Sequence, residues 1–162
     1  VTDYKVLGDL IERIKAAASP DPALDADIAE ALELRPLPRH DRFYRSARGE
    51  DLYLTKWLLP GGRAVDTFAG EFPEFTGSLD IAMSLVPKGW SYSLGSMMGL
   101  PLAERWRCHL RDHNDPNDST RRWLDVDAAM PATSTTAACL KIRYQDLLQA
   151  AIAVSRRQPA KG

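Results

Sequence analysis

The residues with the most chemical promise lie between positions 105 and 113. Arg105, Arg107, His109, Arg111 and His113 occupy alternate positions, and Trp106, Cys108 and Leu110 fill the positions between them. A period of two is the signature of a strand, whose successive side chains point to opposite faces. On one face the file of three arginines and two histidines forms a cationic ladder with steps of about 6–7 Å. Arg121, Arg122 and Trp123 follow in the next segment and extend the patch. Arginine recognises phosphate-like oxyanions through a planar, bidentate fork, and an exposed ring such as Trp123 stacks a base. The eight residues Arg105, Arg107, His109, Arg111, His113, Arg121, Arg122 and Trp123 are therefore the expected ligand-binding set. The competing reading is a solvated sheet face neutralised by Asp112, Asp115, Asp118 and Glu104.

Other chemistry is poorly provided for. His109 and His113 would share a metal on a helix, but on a strand they stand about 13 Å apart, and His40 is isolated, so no metal site is expected. The Asp112–Asp118 run lacks the glycine and closing glutamate of a calcium loop. No nucleophile elbow, phosphate loop, dinucleotide fingerprint or zinc-protease signature occurs, which points away from an enzyme and from any cofactor. Cys108 and Cys139 form no CxxC and are read as small core residues.

The 162 residues fit a single domain. With 21 Lys plus Arg against 22 Asp plus Glu, the net charge is −1, which excludes a globally basic nucleic-acid binder but not a local basic face. No apolar run is long enough to span a bilayer. Val1 to Lys5 lead directly into an amphipathic segment, so no signal peptide and a cytoplasmic location are expected.

The elements that must position these residues can be read in three blocks. Residues 1–34 form a helical hairpin: Leu7, Leu10, Ile11 and Ile14 mark one helix face over 4–18, and Asp21 caps a second helix with Pro22 in its first position and Leu24, Ile28, Ala31 and Leu32 as its stripe. Residues 35–75 read as a variable insertion. Its arginine-rich stretch 35–50 is a loop, and a β-hairpin follows, with strands at 52–59 and 63–68 about the Pro60-Gly61-Gly62 turn. Residues 76–155 read as helix, three strands, helix. Ser78 caps a helix running to Val86, ahead of Pro87 and Gly89. Strands follow at 90–94, 105–113 and 122–127, with a turn at 95–101. Thr133 or Ser134 then caps a last helix to about Ser155, buried through Ala137, Leu140, Tyr144, Leu147, Leu148, Ala151 and Ile152, and the tail beyond it frays. The expected class is α+β, an antiparallel sheet of three or more strands layered with helices.

The stretch Phe75-Thr76-Gly77-Ser78-Leu79-Asp80-Ile81-Ala82-Met83-Ser84-Leu85-Val86-Pro87-Lys88-Gly89-Trp90 resembles a recurrent phrase of small phage and prophage proteins, the phage αβα-sandwich family. The Ala-Ala-Cys-Leu-Lys core of the last helix and the opening Leu7-x-x-Leu10-Ile11, Pro20-Asp21-Pro22 and Leu24-Asp25 are similar to the same proteins. The resemblance covers roughly residues 1–34 and the last 90, and leaves 35–74 unmatched. It implies a sheet between helices and a phage or prophage accessory protein, and it carries no catalytic residue across. The preferred expectation is a non-catalytic binder of an anionic ligand such as a nucleotide signal. The alternatives are an interaction or assembly module, itself a homo-oligomer, acting on a host or virion protein, and a nucleic-acid-binding domain. The helix–three-strand–helix order suits the last, but the start of the final helix is poor in basic residues.

Overall fold

In a computed structural model, the described residues are 3–37, 43–45, 48–49, 51–114 and 122–157. The N-terminal hairpin forms as the sequence predicts. Helix α1 spans Tyr4–Ala16, with Asp3 accepting from the Lys5 N–H, and buries Leu7, Leu10, Ile11 and Ile14. Helix α2 spans Pro22–Ala31. The Asp21 carboxylate accepts from the N–H groups of Ala23 (2.9 Å) and Leu24 (3.3 Å), donors that no helical carbonyl reaches.

The insertion contains more sheet than expected. The hairpin is present as β3 (Asp51–Leu58) and β4 (Ala64–Phe68), but β1 (Pro36–Leu37) and β2 (Phe43–Arg45) lie in the stretch read as loop. Both pair antiparallel with β3 along the edge that β4 leaves open. Strands of two and three residues are too short to carry a period-two pattern, so the sequence does not announce them. The tip of the hairpin docks on the core. A Cβ at Gly61 would lie 2.9 Å from the Ser84 carbonyl oxygen, and Arg63 pairs with Asp80.

The second sheet comprises β5 (Trp90–Ser96), β6 (Trp106–Asp112) and β7 (Trp123–Ala128), antiparallel in that order. The expected turn at 95–101 is shorter, because Gly95 and Ser96 continue β5. Before it lies α3, Leu79–Met83, capped by Ser78 as predicted. It stops short of Val86 because residues 84–86 tighten into i→i−3 bonds ahead of Pro87. Helix α4 (Pro131–Arg157) starts earlier than its expected cap. Pro131 suits a first helical position, and Thr133 turns its hydroxyl back to Met130.

Helix α4 is the central element, contacting β6, β7, α1 and α3. Every residue from Ala132 to Leu140 is buried. The expected stripe fades toward the C-terminus, where Ile152 is exposed. Cys108, Leu110, Leu124, Val126 and Ala128 of the sheet face α4, forming the layered α+β arrangement expected. Helices cover one face of this sheet only; the other is open among the described residues, unlike the enclosed sheet that the resemblance implies. No helix is long and apolar enough to cross a membrane among the described residues.

Two buried locks bind the blocks together. The Thr76 N–H donates to the Asp25 carboxylate (2.8 Å) while the Asp21 N–H donates to the Thr76 hydroxyl (2.9 Å). The Thr136 hydroxyl donates to the Phe75 carbonyl (2.8 Å). Gly89 holds φ +85°, and a Cβ there would overlap Asn114, whose amide donates to the Lys88 carbonyl. Much of the 75–90 phrase thus has a structural duty.

Candidate functional site

The open face of the second sheet is built in rows across its strands. Ser91, Arg111 and Trp123 form one row; Ser93, His109 and Asp125 the next; Gly95, Arg107 and Asp127 the third. Alternation along β6 therefore places Arg107, His109 and Arg111 on one face, as the sequence predicts.

The adjacent strand changes what that face can do. Arg107 donates from Nε and Nη2 to the two carboxylate oxygens of Asp127, at 2.7 and 2.8 Å. His109 Nδ1 donates to Asp125 at 2.6 Å. The Arg107 guanidinium holds the Asp127 carboxyl below the usual carboxylate range. The sequence reading assigned neutralisation to Asp112, Asp115, Asp118 and Glu104. Among the described residues, Arg107 and His109 are neutralised by Asp127 and Asp125, which β7 delivers directly opposite them. Their alternation with Leu124 and Val126 was the signal that could have found them.

The remaining members of the expected set separate. Arg105 precedes β6, closing a 3-10 turn at Leu102–Glu104 with helical backbone angles (φ −66°, ψ −28°), so it does not extend the ladder. His113 follows β6 and pairs with the Ser91 hydroxyl (2.7 Å). Arg122 belongs to the opposite face. It lies 5.3 Å from the Trp90 ring centre, bonds Asp146 on α4 and approaches the buried Asp112 at 3.6 Å, strapping the helix to the sheet. Residue parity explains this correction, since Arg122 shares the face of Leu124. Arg121 lies outside the described residues, as do His40, Asp115, Asp118 and the 158–162 tail.

Trp123 is 72% exposed, with its ring centre 6.1 Å from that of His109 in an edge-on arrangement. It is the most exposed aromatic side chain among the described residues, held on a rigid strand rather than a loop. Tyr92, 42% exposed, belongs to the other face, on the outermost strand.

Both cysteines are buried, as predicted. Burial pushes the Cys108 thiol up to about 11 and raises that of Cys139, so neither is a nucleophile near neutrality. No three His, Cys, Asp or Glu side chains are placed to hold a metal among the described residues. The Ser91–His113 pair is exposed, and no carboxylate orients the histidine's other ring nitrogen among the described residues. Sequence reasoning missed a cleft of about 600 Å³ between α1, β7 and α4, where Lys15, Glu12, Asp127, Lys141 and Tyr144 meet. Its mixed charges do not select one ligand sign.

The chain matches no family model, no curated protein and no solved structure.

Proposed function

We propose that this chain is a non-catalytic interaction protein whose recognition surface is the open face of the second sheet, centred on Trp123. The observation that carries this reading is the 72% exposure of that tryptophan on a strand, beside His109 and in register with Arg111. Tryptophan and arginine dominate the energetics of protein interfaces because they bring large contact area with polar handles. The self-paired charges beside them suit the polar rim of a protein interface. They suit a free oxyanion less well. The Nε–Nη2 edge of Arg107, the fork that would grip an oxyanion, is already taken by Asp127, and a phosphate approaching it would meet the carboxylates of Asp125 and Asp127. The resemblance in 75–90 supplies the context: a phage or prophage accessory protein acting on a host or virion protein.

A second reading keeps the anionic ligand, a nucleotide signal. The row Ser91–Arg111–Trp123 favours it, because it sets a stacking ring beside a guanidinium. Salt separates the two. Pull-down from bacterial lysate with wild type and Trp123→Ala, at low and high ionic strength, should yield a protein that survives salt and disappears with the substitution. Salt-sensitive quenching of tryptophan fluorescence by nucleoside triphosphates, lost in Trp123→Ala, would favour the nucleotide instead. A binding profile that Trp123→Ala leaves unchanged refutes both.

A further inference from the structure

We propose that β5 is a dimerisation edge: two copies pair antiparallel through it about a two-fold axis at Ser93, joining their sheets in the order β7-β6-β5-β5-β6-β7. The inference begins with backbone direction. At the two ends of the β5–β6 ladder the Met97 N–H donates to the Arg105 carbonyl and the His113 N–H to the Gly89 carbonyl. In an antiparallel pair, residues alternate between those that exchange hydrogen bonds and those that do not. The register 91↔111, 93↔109, 95↔107 therefore turns the odd-numbered residues of β5 toward β6. The N–H and C=O groups of Tyr92, Leu94 and Ser96 point outward, along an edge with no partner strand among the described residues.

Edges of this kind are normally blunted by lysine, proline, a bulge or an inward-pointing charge, because they template pairing with another chain. Trp90-Ser91-Tyr92-Ser93-Leu94-Gly95-Ser96 has no charge and no proline, and its register with β6 runs without a bulge. The other outer strands differ. The β7 edge carries Asp125 and Asp127 and is approached by α1, and β4 carries Asp66 and begins just after Arg63.

The occupant is set by self-complementarity. An axis through Ser93 places Tyr92 opposite Leu94 of the second copy, and Trp90 opposite Ser96. All four stand on the face that carries α4, where Tyr92 is 42% exposed and Leu94 half-buried. On the open face it places Ser93 against Ser93 and Ser91 against Gly95, small neutral groups that allow close approach. No like charges meet across the axis, and the nearest ion pairs, on the rows of His109 and Arg107, are closed within each copy. The outward groups of Tyr92 and Leu94 are then opposite each other in the hydrogen-bonding phase, as a ladder requires. A two-fold contact also closes on itself, giving a finite dimer rather than a fibre.

The test uses the full chain. Light scattering after size exclusion, over a concentration series, should give twice the 18.0 kDa chain mass. Ser93→Lys puts two ammonium groups side its axis without touching the β5–β6 ladder. It should raise the dimer dissociation constant at least tenfold and leave the thermal midpoint of a dilute sample unchanged. Ser93→Cys should form a disulfide-linked dimer under mild oxidation, whereas Gly95→Cys, whose counterpart lies opposite Ser91, should not; the native cysteines are buried and do not interfere. A monomer mass at every concentration overturns the proposal. So does a dimer that persists with Ser93→Lys and is not trapped through Ser93→Cys.

Discussion

The two sheets are built from similar amounts of strand, yet they are held in different ways. The second rests its inner face on α4 and buries Cys108, Leu110, Leu124 and Val126 in the main core. In the first, Trp57 is buried against Phe72 at a ring separation of 5.3 Å, and its indole N–H donates to Thr67 (3.0 Å). Tyr53, Leu58 and Phe68 remain exposed. Leu59, just beyond β3, reaches the main core, with half-buried Val65 packed against it. A sheet with a helix on its face is part of the global fold; a sheet anchored at one end is an appendage whose stability is local.

That contrast can be broken experimentally. Leu110→Ala should cost about 2–5 kcal/mol, as the deletion of a fully buried leucine does, and urea unfolding should shift equally for every probe. Trp57→Ala should cost less in global stability, about 1–3 kcal/mol. It should accelerate amide exchange over 51–68 while sparing 106–128. Equal global shifts for the two substitutions would erase the distinction.

The lock joining α2 to the entrance of α3 tests the boundary between the regions. Burial raises the Asp25 pKa, against the opposing pull of the Thr76 hydrogen bonds. Between the ordinary aspartate pKa and this raised value the folded chain binds more protons than the unfolded one, so the charge on Asp25 penalises folding as pH rises through that window. Asp25→Asn keeps an acceptor for the Thr76 N–H and should be more stable than wild type at pH 7, with the advantage vanishing as the pH falls below the window. Asp25→Ala orphans the buried N–H and should lose about 1–3 kcal/mol. Denaturation midpoints across pH decide both.

The smallest effect belongs to the open face. Asp127→Asn breaks an ion pair that water still reaches, and should lower stability only slightly, more at low salt than at high. For wild type, this pair's contribution is present near neutrality and is lost as acid titrates Asp127 through its depressed pKa.

The helical hairpin was legible because its signals are local: Asp21 and Pro22 stand beside the donors they serve. The parity of 106–112 was legible for the same reason. What the sequence did not reveal depends on partners distant along the chain. Register across the 97–105 and 113–122 connections decides that Asp125 meets His109 and Asp127 meets Arg107. Arg122 was misplaced because it reads as one more cation beside Arg121, although its parity with Leu124 turns it toward α4. β1 and β2 escaped because two or three residues carry no readable alternation.

The hydrogen bonds that link Thr76 with Asp21 and Asp25 have a corollary for insertions. They fasten the exit of the 35–75 excursion next to the helix from which it departs, so its length is nearly decoupled from the rest of the molecule. Doubling such a tethered loop costs only about 0.6 kcal/mol in closure entropy. The excursion can thus be lengthened away from its docked tip, where Leu59, Gly61 and Arg63 meet the core, while the three-strand platform and its central helix remain intact.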